Sequence, residues 1–159
     1  TVICNSTLTL YVFQYRPEGV ATFGKVCPGS GGHLPARSWA GALATGQKLT
    51  VQVDQLLGAT VALHLLGTSR SAFGPLPLPF DLAPLGAPGC ALSIAPILSS
   101  GSFSGAPGVG TGQAAATFAI PANPALVGAV LYDQWLVVDP GANALGLIGA
   151  AAGRLAITR

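Results

Sequence analysis

Methionine is absent from the 159 residues, and charge is scarce. Seven Lys or Arg and five Asp or Glu make up 8% of the chain, against a usual quarter. The cations stand apart from one another, so a phosphate backbone finds no basic stripe, and nucleic acid is excluded as a partner. Two histidines and three cysteines include neither a Cys-x-x-Cys nor a paired His, so metal-ligand spacing is missing and no cofactor is expected. Long apolar runs are missing too. Asp133–Gln134 and Arg154 interrupt them before about 18 residues, and no membrane span is predicted. Helical periodicity of useful length is also lacking, although residues 123–127 fit a single turn. Thr1 opens the chain without Met, which reads as a mature secreted chain whose signal peptide has been removed, though a shortened chain would open the same way. So little charge leaves little repulsion between copies, which favours self-association.

What is present is apolar and full of turns. Half of the residues are hydrophobic, and 22 Gly and 13 Pro favour short strands joined tightly. The longest β-like run is Gly128 to Val138, bounded by Asn123-Pro124 and by Asp139-Pro140-Gly141. Its two alternate sets, Ala129/Leu131/Asp133/Trp135/Val137 and Val130/Tyr132/Gln134/Leu136/Val138, are both mostly apolar. This strand is therefore predicted at the centre, covered on both faces, with Trp135, Leu131, Val137, Leu136 and Tyr132 among the most buried residues. Lys48 to Val53 alternates with Leu49, Val51 and Val53 inward, and Ala59 to Leu66 follows, predicted antiparallel to it across the turn at 54–58. Val20 to Phe23, Ala91 to Ile97, Gln113 to Ile120 and Leu145 to Thr158 are further strands, the last kinked at Gly149 to Gly153. Residues 67–90, with Pro75, Pro77, Pro79, Pro84 and Pro88, read as an ordered crossover whose leucines and Phe80 plug one end of the core. Ser99 to Gly112 reads as a mobile low-complexity loop. The expectation is an all-β fold, a β-sandwich of jelly-roll type with about 8–9 strands, over residues 16–159. Residues 1–15 form a separate N-terminal arm, apolar on both sides: Leu8, Leu10 and Val12 against Tyr11 and Phe13.

Three segments carry a resemblance: GKVCPGS (24–30), LPLPFDLAPLGAPGCAL (76–92) and IPANPALVGAVLYDQWLVVDPGANALGL (120–147). Over residues 20–157 the chain resembles a domain of secreted, mostly uncharacterised proteins of planctomycetes and myxobacteria. The resemblance implies an extracellular all-β domain with two paired cysteines and no known activity. The chain departs from that pattern at Val26, where glycine is usual, and at Gly149-Ala150-Ala151-Ala152-Gly153, where Ser-Asn-Gly is usual. Cys27 and Cys90 stand in Pro/Gly-rich loops, where such a bridge adds most order, and closing about 60 residues stabilises by roughly 4 kcal/mol. Cys4 is left over, either a buried thiol or a link to another chain.

Catalytic patterns fail one by one, so the chain is read as no enzyme. Pro28-Gly29-Ser30-Gly31-Gly32 lacks the acidic residue of a protease motif and the spacing of a nucleophile elbow. His64 reads as a satisfied strand residue and His33 as a loop residue. Asp81 and Asp139 belong to turns, where capping is their usual work, while Asp133 lies mid-strand and needs donors, a row of loop N–H groups or Arg154. Gly108-x-Gly110-x-Gly112 leads into a strand, so it is no dinucleotide loop, and Asn5-Ser6-Thr7 is a glycosylation sequon. Two function classes remain. The first is an extracellular structural subunit of a filament, pilus-like or surface structure, its partner another copy of itself. Leu8, Leu10, Tyr11, Val12 and Phe13 are then the self-association residues, added to a neighbour as a donated strand. The second is a carbohydrate- or surface-binding module, for which Trp39, Trp135 and the tyrosines are the available platform.

Overall fold

A computed structural model describes residues 16–159. The arm residues Leu8, Leu10, Tyr11, Val12 and Phe13, and with them Cys4, lie outside the described residues. Thirteen strands follow in order: β1 Val20–Phe23, β2 Ala36–Gly41, β3 Lys48–Leu56, β4 Val61–Ser69, β5 Ala72–Phe73, β6 Leu76–Pro77, β7 Phe80–Asp81, β8 Ala91–Leu92, β9 Ala95–Phe103, β10 Gly112–Ala119, β11 Val130–Val138, β12 Leu147–Gly149 and β13 Ala152–Ala156. The fold is all-β, with antiparallel pairing throughout its sheets. The larger sheet runs β1-β13-β11-β4-β9, with β12 also on β11, and the smaller runs β10-β3-β2.

Strand β11 is central, as its two apolar faces require. Asp133, Trp135 and Val137 are fully enclosed on the face toward the smaller sheet. On the other face Tyr132 and Leu136 join a second cluster with Leu65, Ile94 and Ala152. Leu131, Tyr132 and Leu136 are nevertheless only half-buried, less than their place in the run suggested. Leu131 packs against the main core, and the second cluster leaves one side of Tyr132 and Leu136 at the surface.

The predicted pairing of β3 with β4 does not form. Leu49, Val51, Val53 and Leu56 of β3 are fully buried, but β3 lies between β10 and β2, while β4 lies between β11 and β9. The connection is an arch between the two sheets, so the apolar faces of β3 and β4 meet across the core and not side by side. Ser104 holds the arch: its Oγ donates to Leu57 O (2.8 Å) and accepts from Thr60 N (2.9 Å). Gly58 N donates to Gly108 O, and a Cβ on Gly58 would overlap Ala106 O, so the two loops touch through bare backbone. Residues 99–112 are therefore not the mobile loop expected. Ser99 to Phe103 belongs to β9, and Ser104 is buried.

The crossover after β4 folds into the short hairpins β5–β6 and β7–β8. Leu82, Ala87 and Cys90 enter the main core and Phe80 packs against it, while Leu85 stays exposed. Cys27 and Cys90 are joined as a disulfide, Cα to Cα 5.0 Å. The kink expected near the end is the break between β12 and β13, both of which run along β11. Strand β2 was not foreseen, and it brings Arg37 and Trp39 inward.

Candidate functional site

Three polar residues of the interior form one group. Asp133 of β11 receives Arg37 of β2 at 2.5 Å and His64 of β4 at 2.8 Å, both on Oδ2. Arg37 also donates to Ala151 O (2.7 Å) and lies over the Trp39 ring at 5.4 Å. Arg154, expected as a partner of Asp133, is not one; the charge comes from the facing sheet. A Cβ at residue 153 would overlap Asp133 Oδ1 and press on the guanidinium, which explains glycine there. Burial pushes the Asp133 carboxyl up, but the Arg37 charge and the hydrogen bonds from His64 and Arg37 outweigh it. The group is held below the usual Asp value. His64 sits between Trp135 (centroids 4.8 Å) and Phe118 (5.9 Å). Such a group ties the two sheets together in one register. No substrate can reach Asp133, which is fully enclosed.

Two other carboxylates cap turns. Asp81 Oδ1 accepts from Ala83 N (2.9 Å), and Asp139 accepts from Ser30 N (2.8 Å) and from the Ser30 hydroxyl. This engages the serine of the Pro-Gly-Ser-Gly-Gly stretch in a turn. Gln134, also buried, accepts from Ser93 N (2.8 Å) and donates to Ala91 O (2.9 Å), which fastens the crossover to β11. Among the described residues, no three His, Cys, Asp or Glu side chains gather as a metal site. Among the described residues, no helix is long and apolar enough to cross a membrane. Trp39 and Trp135 are both buried, so neither offers a flat surface to a sugar. A cleft of about 360 Å³ lies between Gly24–Lys25 and the segment Pro79 to Ser93.

The surface feature that stands out is the edge formed by β9 and β10. Among the described residues each is hydrogen-bonded to one neighbouring strand, β9 to β4 and β10 to β3. Between them opens a gap of about 290 Å³, lined by His64, Leu66, Leu98, Ser100, Ala116 and Phe118. Leu98 pairs with the core-facing Leu66 and so points inward, yet it is 63% exposed. Phe103 alternates with it onto the outer face and is 65% exposed, and Ile97, the unpaired residue of a bulge beside Leu98, is 61% exposed. Apolar side chains are thus uncovered on both faces of one edge strand. This site was not read from the sequence, where the serine- and glycine-rich half of β9 hides it. Comparison of the chain with family profiles, with curated proteins and with solved structures finds no match.

Proposed function

We propose that the protein is an extracellular structural subunit that assembles with copies of itself into a filament or surface structure, and that it performs no catalysis. The observation that carries this reading is the uncovered β9–β10 edge. An edge strand in a water-soluble domain is normally blunted by charge, proline or a covering loop. Pro96 and a bulge blunt only the start of β9; from Leu98 to Phe103 it carries no charge and no proline, no described loop covers it, and Ile97, Leu98 and Phe103 are exposed. The Cys27–Cys90 disulfide fits an oxidising compartment. Membership of the secreted planctomycete and myxobacterial family, and a jelly-roll type for the sandwich, belong to the same proposal. They are supported by the segments quoted above and by the division of the longer strands between two facing antiparallel sheets. The alternative, a glycan-binding module, has the Lys25–Pro79 cleft in its favour but no aromatic platform. Light scattering and negative-stain electron microscopy of the purified full-length chain test the proposal. Polymers are expected, and a monomer at every concentration overturns it.

A further inference from the structure

Deepening that self-assembly reading, on which the inference rests, we infer that the β9–β10 edge is the acceptor for residues 8–13 of a second copy, laid along β9 as an added strand. Leu8, Leu10 and Val12 face the gap, against Leu66, Leu98, Ala116 and Phe118. Tyr11 and Phe13 cover the outer face toward Phe103. The match is one of faces. A strand added beside β9 has one side toward the sandwich interior and one along the outer sheet surface, and β9 is apolar and exposed on both. A donor must be apolar on both sides too, and in the alternation of residues 8–13 it is.

Reach decides between the chain's own arm and a neighbour's. Described chain begins at Arg16, whose guanidinium lies over Trp39 of β2, and runs into β1. β1 and β2 form the edge of the sandwich opposite to β9 and β10. Four strand spacings separate β1 from β9, about 19 Å. Phe13 stands three residues before Arg16 and reaches at most about 11 Å from it. Measured from β1, Phe13 falls short of its own β9, so residues 8–13 as a whole do not lie along it, whereas a neighbour's arm meets no such limit. Donor and acceptor occupy opposite edges, so the contact is head-to-tail and repeats without closing on itself.

Two full-length variants test this by complementation. Leu10→Asp spoils the arm and leaves the acceptor intact; Leu98→Glu spoils the acceptor and leaves the arm intact. Leu98 is exposed, and circular dichroism checks that each variant is folded; Phe103→Glu repeats the acceptor test at the other end of β9. In sedimentation velocity each variant alone is expected to run as the 15.8 kDa monomer. An equal mixture is expected to form a dimer of twice that mass and nothing larger, because only one good arm and one good acceptor remain per pair. If wild type polymerises and the variants polymerise equally well, the acceptor is misplaced and self-assembly stands. If the mixture stays monomeric, donation between copies is wrong. Wild type that never associates overturns both this inference and the reading beneath it.

Discussion

Asp133 brings a negative charge into the middle of an apolar sandwich, and Arg37 and His64 are what make that tolerable. Removing one partner of a buried ion pair typically costs about 3–5 kcal/mol, because the other charge is left without compensation. Asp133→Asn is therefore expected to lower the urea midpoint sharply at pH 7. The pH dependence follows from the direction of its shift. The folded chain holds this proton more weakly than the unfolded chain, whose Asp titrates near 3.8. The stabilisation is complete above that value and is lost as pH falls from there through the lower folded value. Urea titrations at pH 7 and pH 3 are expected to show a large acid loss in the wild type. In Asp133→Asn that loss should be smaller, and equal losses would remove Asp133 from the account. None of this pairing was visible in the sequence. Arg37 and Asp133 are 96 residues apart, and an arginine alternating with Trp39 in a short run reads as a residue facing water.

Individual strands were legible because their period of two is local. Leu49, Val51 and Val53 announce β3, and the two apolar sets from Gly128 to Val138 announce a strand covered on both faces. The partnership of strands was not legible. A four- or five-residue connection such as 57–60 serves a hairpin or an arch equally well. What selects the arch is Ser104, 44 residues beyond Thr60. Strand β2 was missed for a related reason: its inward residues are Arg37 and Trp39, and only the facing sheet reveals why an arginine points inside. At this scale the prediction concerns β11. Trp135 is fully buried, packs against the His64 ring at a tilt and belongs to the core shared by both sheets. Trp135→Ala is expected to cost about 3–5 kcal/mol, enough to unfold a marginal domain at 37 °C. Thermal denaturation followed by circular dichroism measures it, and a loss under about 1 kcal/mol would contradict the placement of β11 as the central strand.

For the whole molecule, the sandwich is held at one end by a covalent link. Cys27 lies just after β1 and Cys90 just before β8, a sequence separation of 63. Closing a loop of that length stabilises by about 4 kcal/mol through the unfolded chain. Mass spectrometry of an unreduced digest is expected to find the two peptides joined. The Cys27→Ser/Cys90→Ser double variant is expected to lose up to that amount, read as a lower melting temperature. Unchanged melting would mean that the crossover, fastened through Gln134, needs no covalent help.

That link also decides how the molecule would behave as a tether. Tension applied between Arg16 and β9 need not travel through β2 to β7, because the bridge carries it directly from Cys27 to Cys90. The bypassed segment is about 220 Å of extended chain at roughly 3.5 Å per residue. However hard the two ends are pulled, that length cannot be paid out while the bridge stands. A reduced molecule would give way like a spring. The oxidised one behaves as a short strap, and the arch, the ion group and most of the smaller sheet ride slack beside it.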